Sequence, residues 1–384
     1  MQVKQIAEFS NNIVKEATGE IPLLKEDLSN FAEHGKAIQD VMGVENYTKT
    51  AVDRVGKVVV SDRLYEPPLK ESVMRDDWEY GSVVEKFSFE PNQASVNESW
   101  QLEDGAVYET NNFVQPKVNV KFYNGLDTFK TQISLPQDQA NSGFTRSEDF
   151  VRFIGGIQNQ LSNDMSERIE ELSKRIINNM IGETMYNLDA GGVYSGKTAE
   201  NAVNLLYIYN QASGESLNLD QFIRKPEAIR EAVYVWLNKL SDIRSMDVDF
   251  NIGKKRRFTP SSMTRIVMLN RFKNAADIFL QSDTFNDEYT KLPSAELVGK
   301  WQGKGDGSLT DRSTVKVTTS WGHDVEATGI LGVMYDRDAL GIHMENQQTT
   351  SKFIESARFY NYWHFYNARY WCDDWENFIV FYAA

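Results

Sequence analysis

Apolar residues recur at Phe150, Ile154, Ile157, Leu161, Met165, Ile169, Leu172, Ile176 and Met180. Steps of three and four are the period of an α-helix, and they draw one apolar stripe from about Ser147 to Tyr186. Asp164, Glu167, Arg168, Glu170, Glu171, Lys174 and Arg175 fall on the opposite face, which predicts a solvated side. Thr145-Arg146-Ser147-Glu148 reads as a capping box, in which the Thr hydroxyl and the Glu carboxylate satisfy free backbone amides. At 1.5 Å per residue such a helix is a rod about 60 Å long. It lacks the strict seven-residue repeat of a coiled coil, so the rest of the chain has to supply a broad body for it.

Two stretches carry the period of a half-exposed strand. Val83-Val84-Glu85-Lys86-Phe87-Ser88-Phe89 and Lys117-Val118-Asn119-Val120-Lys121-Phe122-Tyr123 alternate residue by residue. Between them lies Pro91 to Asn112, rich in Asn, Gln, Ser and Glu, with Trp100 as its large aromatic. This predicts a protruding hairpin. A lone hairpin is marginal in water, so it needs a surface to lie on.

The remaining pattern is mixed. Residues 1–56 are polar, with helical spacing around Leu24, Leu28, Phe31 and Ile38, and predict an arm or a small helical cap. Lys57-Val58-Val59-Val60 predicts a short strand. Residues 203–209 are a short apolar run, either strand or helix start. Pro226 to Leu240 predicts a second amphipathic helix with Ile229, Val233, Trp236 and Leu237 on one face. Arg265–Leu269 and Val315–Thr319 predict strands, with a helix from Arg271 to Leu280 between them. Gly332 to Ile342, a polar Glu345-Asn346-Gln347-Gln348 turn and an aromatic strand close the chain.

Composition narrows the function classes. With 384 residues and 41% hydrophobic content the chain can build a sizeable core. A formal charge of −14 disfavours a free nucleic-acid reader, which needs a positive field. The one cysteine, Cys372, excludes an intramolecular disulfide framework. No signal-peptide pattern follows Met1, and no apolar run reaches the length of a membrane span.

Several motifs have the letters of a site. Gly191-Gly192-Val193-Tyr194-Ser195-Gly196-Lys197-Thr198 matches the phosphate-loop pattern, in which Lys197 would meet phosphates and Thr198 a Mg²⁺ ion. That motif requires a buried strand before it, and Ile181 to Ala190 reads as the tail of a helix. A Gly-rich helix stop is the better account. Asp247-Val248-Asp249 brings two carboxylates together without the further oxygen ligands of a metal site. His34, His323, His343 and His364 are scattered, which argues against zinc. Lys254-Lys255-Arg256-Arg257 is the one basic block, suited to a solvated loop or to an acidic neighbour. The aromatic tail, including Tyr362, Trp363, Tyr366, Tyr370, Trp371 and Trp375, carries Asp373, Asp374 and Glu376 among its rings. Those acids repel phosphates, so the tail reads as sheet core and interface. No catalytic constellation, cofactor site or metal site emerges, and the expectation is that the protein is not an enzyme.

The order is arm, polar hairpin, rod-like helix, mixed α/β layer and return strands. This organisation resembles the major capsid (head) protein of tailed bacteriophages, the Hong-Kong-97-like fold, an α+β architecture. The resemblance implies an N-terminal arm over 1–56 and an E-loop hairpin with adjoining strands over 57–135. It implies a P-domain with the spine helix over 136–200, an A-domain over 201–327 and P-domain return strands over 328–384. It implies a structural subunit that self-assembles as hexamers and pentamers into an icosahedral head enclosing a double-stranded DNA genome. A separate scaffolding protein, a portal, DNA held by non-specific proximity, no membrane partner, and assembly in the host bacterial cytoplasm are further implications. The candidate inter-subunit contacts are Trp78, Tyr80, Trp100 and Phe113 around the hairpin, and Lys254, Lys255, Arg256 and Arg257. A phosphate-loop nucleotide-binding enzyme using Lys197 and Thr198, and an encapsulin-type shell of the same fold, are the alternatives.

Overall fold

A computed structural model describes residues 7–8, 10–12, 14, 24–25, 29–41, 69–75, 83–89, 98–108, 113, 115–136, 147–189, 198–281, 294–302 and 309–384. The helices are α1 (Phe31–Val41), α2 (Lys70–Val73), α3 (Ser147–Asp189), α4 (Leu205–Ser213), α5 (Leu219–Arg224), α6 (Pro226–Asp242), α7 (Asn270–Gln281) and α8 (Leu309–Arg312). The strands are β1 (Val84–Phe89), β2 (Val118–Tyr123), β3 (Gly125–Pro136), β4 (Ala202–Asn204), β5 (Thr264–Leu269), β6 (Glu296–Val298), β7 (Val315–Thr318), β8 (Asp324–Ala327), β9 (Ile330–Asp336), β10 (Leu340–Ile354), β11 (Phe359–Cys372) and β12 (Phe378–Tyr382). Two compact units divide the chain. One holds Met1–Lys70, Leu126–Ser173 and His343–Arg369, and the other Glu71–Gly125, Lys174–Ile342 and Tyr370–Ala384.

The second unit is built on a five-stranded sheet in the order β4-β12-β9-β5-β6. β12 runs antiparallel to β9 and parallel to β4, and β5 runs antiparallel to β9 and parallel to β6. β9 and β12 are buried at every residue, as central strands covered on both faces must be. They come from the 328–384 stretch, whereas β4, β5 and β6 come from 201–327. The helices beside the sheet follow local rules. α4 opens on Asn204, whose side chain accepts from the Tyr207 amide, and closes on left-handed Gly214. α5 opens on an Asn218/Gln221 capping box. α6 starts with Pro226 in its first turn, where no amide hydrogen is needed.

α6 buries Ile229, Val233 and Trp236 as its spacing predicts, while Leu237 stays half-buried. The Trp236 indole stacks on Phe381 of β12, with ring centroids 3.7 Å apart, and on Phe272 of α7 at 6.0 Å. Gly332 of β9 makes room for it. A Cβ there would lie 2.6 Å from the Trp236 ring and 2.7 Å from the Val267 carbonyl oxygen. The ring could shift, but the neighbouring strand's backbone could not. Gly332→Ala is therefore expected to cost about 3 kcal/mol, the upper range for overpacking, read as a drop in the urea midpoint. An unchanged midpoint would show that β9 has slack here.

The long helix runs from Ser147 to Asp189, 43 residues. The capping box read at Thr145–Glu148 and the side chains of the helix's first turns lie outside the described residues. Met165, Ile169 and Leu172 are buried on the expected stripe, while Glu167, Arg168 and Glu171 face solvent. From Ile176 to Met185 the single stripe ends, and every residue is buried. The polar ones carry their own partners. Asn178 donates to the Trp301 carbonyl, Asn179 exchanges hydrogen bonds with Ser320, and Thr184 donates to the Met180 carbonyl. Glu183 accepts from the Thr319 hydroxyl at 3.0 Å and lies 2.9 Å from His323 Nδ1. Such groups can be buried because each is hydrogen-bonded, which a hydropathy pattern does not register.

The first unit contains a three-stranded sheet in the order β10-β11-β3. Ser134 and Gln132 of β3 donate to Asn361 of β11, and Phe129 stacks on Tyr366 at 5.2 Å. The turn expected at Glu345–Gln348 is absent. Those residues lie within β10, and the chain reverses at 355–358, where Arg358 takes a left-handed φ of 51°. Polar composition there belongs to a strand, not a turn. Ile38 of α1 and Leu24 are buried, and Ser10 pairs with His34 at 2.8 Å. The strand expected at Lys57–Val60 lies outside the described residues.

Candidate assembly surface

β1 and β2 pair antiparallel, with Phe87 opposite Val120, Phe89 opposite Val118, and Lys86 opposite Lys121. Since side chains alternate across a strand, this register puts Phe87, Phe89, Val118, Val120 and Phe122 on one face. Lys86, Ser88, Asn119, Lys121 and Tyr123 take the other. An ordinary half-covered sheet buries the apolar face. This hairpin does the reverse: Phe87, Phe89, Val118, Val120 and Phe122 are all exposed, whereas Ser88 is buried and Lys86 and Lys121 are half-buried.

The inward face is held by charge. Lys86 Nζ lies 2.6 Å from Asp373 and 2.8 Å from Glu376. Lys121 Nζ lies 2.9 Å from the other Asp373 oxygen and pairs with Asp374. It also lies 3.8 Å from the Trp375 ring centroid, a cation–π contact. The Asp373 side chain has no solvent exposure and accepts from the Trp375 amide as well. Burial alone would push its pKa up, but the Lys86 and Lys121 ammonium groups outweigh that and hold it below its ordinary value. Burial likewise would lower Lys86, and the Asp373 and Glu376 carboxylates outweigh it and raise it. The Tyr123 phenol is pushed well up by burial and then by the Asp373 charge.

The basic block belongs partly to this cluster. Arg257 donates to Ser88 Oγ and lies 3.8 Å from Glu376, and Lys255 lies over the Trp375 ring at 5.4 Å. Lys254, in a left-handed conformation with φ 51°, faces out and pairs with Asp249 at 3.1 Å. Arg256 is exposed. Sequence reading grouped the four cations together. The structure turns two inward and leaves two outward, exposure alternating along residues 254–258.

Trp100 and Phe113, in the loop joining β1 to β2, are 94% and 88% exposed. Trp78 and Tyr80 lie outside the described residues, as do Gly191 to Lys197 of the phosphate-loop match. Thr198 accepts from the Asn204 amide at 3.3 Å. Asp247 accepts from the amides of Val248 and Asp249 as a local turn. Among the described residues no group of three or more His, Cys, Asp or Glu is placed to hold a metal ion. None of the described helices is long and apolar enough to cross a membrane. The outward face of the hairpin is the surface that sequence reading missed. The signal was present: Lys86 and Lys121 share a face once the two strands pair, and Asp373, Asp374 and Glu376 are three acids clustered within four residues of an aromatic tail.

No curated protein sequence matches. Among solved structures, a chain of the Staphylococcus phage Andhra capsid is similar over 84% of this chain and 86% of its own, with a TM-score of 0.50 and 11% identity. A chain in the structure of head fiber and inner core protein gp22 of native bacteriophage P68 is similar over 83% and 85%, with a TM-score of 0.50 and 12% identity. At such identities the likeness shows the fold alone, the α+β fold of phage capsids. The sequence adds the family: the model described as Phi29-like phage major capsid protein matches residues 10–382. This chain belongs to the Phi29-like phage major capsid proteins.

Proposed function

We propose that this structural subunit closes its shell by laying the outward face of the β1–β2 hairpin on a second copy. The observation that carries the reading is the inverted hairpin, with Phe87, Phe89, Val118, Val120 and Phe122 toward solvent and its lysines toward the protein. Contiguous exposed apolar surface of this kind marks an interaction site. A closed shell supplies many identical neighbours to cover it. In this reading Trp78, Tyr80, Trp100 and Phe113 add to the same interface. The segments 1–56, 57–135, 136–200, 201–327 and 328–384 act as arm, E-loop, spine, axial layer and return strands.

Its partners are itself, in hexamers and pentamers, a separate scaffolding protein and a portal. The acidic chain surrounds packaged double-stranded DNA without gripping it, since a net negative wall repels phosphate. Assembly takes place in the host bacterial cytoplasm, and the chain catalyses no reaction. Nothing in the described residues favours the phosphate-loop or encapsulin alternatives.

Expression of the full chain, alone and with its genomic neighbours, tests this by negative-stain microscopy. Particles tens of nanometres across are expected, and a stable monodisperse monomer under every condition overturns the reading. Phe87→Asp is expected to remove the particles while leaving the far-ultraviolet circular dichroism and the urea midpoint within about 0.5 kcal/mol of wild type, because exposed substitutions act weakly on folding. Undiminished particle yield from that variant would show that the face is not an interface.

A further inference from the structure

The loop between β1 and β2 has a defined shape at Glu103–Ala106. The Ala106 amide donates to the Glu103 carbonyl at 3.2 Å, and Gly105 takes φ 83°. That is a turn whose third residue must be left-handed, the place glycine fills without strain. The Glu103 amide donates to the Tyr108 hydroxyl at 2.9 Å, bracing the turn. Glu103 and Asp104 are exposed at its apex. Trp100, Leu102 and Val107 flank it and are among the most exposed apolar residues described. The turn therefore presents two carboxylates framed by apolar side chains.

A surface of opposite character lies on the segment Met246–Phe258. Asp247 and Arg257 form an antiparallel bridge, their amides and carbonyls exchanging hydrogen bonds of 2.9 and 2.8 Å. Across such a bridge the flanking residues share the opposite face. Met246, Val248, Arg256 and Phe258 accordingly face out together, and the three apolar ones are exposed; Lys254 is exposed too and pairs with Asp249 of the same segment at 3.1 Å. The inward residues of this segment, Lys255 and Arg257, belong to the cluster at the root of the chain's own hairpin. One face of the segment thus fixes the subunit's own arm, and the other offers two cations among apolar side chains.

We infer that the acidic turn at Glu103–Ala106 of one copy docks on the Met246–Val248–Lys254–Arg256–Phe258 patch of a second copy. Glu103 and Asp104 meet Lys254 and Arg256, and Trp100, Leu102 and Val107 cover Met246, Val248 and Phe258. The complementarity is double, in charge and in exposed apolar area, and Arg256 and the apolar residues on both sides are exposed, while Lys254 exchanges its own Asp249 for the incoming carboxylates. Charge pairing of this kind sets partner and register, because like charges brought together are strongly disfavoured. The inference rests on the self-assembly reading and adds the surface that receives the arm.

The test is a charge swap in the full chain, expressed as for the wild type. Lys254→Glu with Arg256→Glu is expected to cut particle yield about tenfold or more. Glu103→Lys with Asp104→Lys is expected to do the same. All four changes in one chain restore opposite charges and are expected to return the yield to within about threefold of wild type. Recovery also shows that the single-sided variants folded. If wild type assembles and neither single-sided swap lowers the yield, the docking inference is overturned while the assembly reading stands. If both lower it and the fourfold variant does not recover, the two surfaces do not meet and the inference is again overturned. Absence of particles from the wild type overturns both.

Discussion

Asp373→Asn is expected to lower the free energy of unfolding by about 3–5 kcal/mol, the usual result of removing one partner from a buried ion cluster. Asn fills the same space, so the loss is one of charge. Among the described residues Asp373 is the only carboxylate that both Lys86 and Lys121 reach, one through each oxygen. Without it Lys86 retains Glu376 and Lys121 retains Asp374, and two half-buried ammonium groups face a neutral amide. The hairpin should detach at its root, and particle formation should fail with it. A urea titration followed by tryptophan fluorescence reads the first effect, and negative-stain microscopy the second. The signs with pH follow from the shifts. Asp373 has a lowered pKa, so its contribution is present above the unfolded value near ~3.9 and is lost as pH falls through the folded value. Lys86 has a raised pKa, so its contribution is full below ~10.4 and is lost as pH rises through the folded value. The variant should flatten the acid limb of the stability profile. Lys86→Met combined with Asp373→Leu removes a matched pair, leaves Lys121–Asp374 and Arg257–Glu376 in place, and should recover most of the lost stability. A midpoint unmoved by Asp373→Asn would mean that the hairpin is held by other contacts.

The elements of this fold were legible where one periodicity ruled a whole segment. Val83–Phe89 and Lys117–Tyr123 read as strands and are β1 and β2 within a residue, and Ser147–Tyr186 reads as the helix that ends at Asp189. Alternation gives two faces, however, and does not say which is covered. The hydrophobic rule puts Phe87 and Phe122 inside, and the structure puts Lys86 and Lys121 there, because their buried counter-charge is 287 and 252 residues away in sequence. The same limit hid the all-round burial of Ile176–Met185, where Asn178, Asn179 and Glu183 are satisfied by groups at Trp301, Ser320 and Thr319. β3 went unread because Asp127, Thr128, Lys130, Thr131 and Gln132 make its pattern mostly polar. The basic block divides for a local reason that its composition does not register: exposure alternates along it, with Lys255 and Arg257 half-buried and Lys254 and Arg256 exposed.

Trp236→Ala is expected to cost about 3–5 kcal/mol, as large-to-small changes in a packed core do. Its effect differs in kind from that of the arm variants. The ring is wholly buried between Phe381 of β12 and Phe272 of α7. Gly332 leaves the space the ring fills, so truncation opens a void against a central strand that cannot close around it. Ala228, Ile229 and Ala232 of α6 are fully buried too, so the helix is packed along the same face as the indole. The subunit itself should therefore be lost: less soluble chain, a lower urea midpoint, and particles reduced in proportion to the folded protein that remains. Phe87→Asp should do the opposite, sparing the subunit and removing the particles. Trp236→Phe separates ring packing from polarity. It keeps a stacked ring and removes an indole N–H that is buried without a hydrogen-bond partner, so its cost should stay below about 1.5 kcal/mol. If Trp236→Ala leaves the midpoint within about 1 kcal/mol of wild type, the sheet and α6 do not share one core, and the packing account of this unit fails.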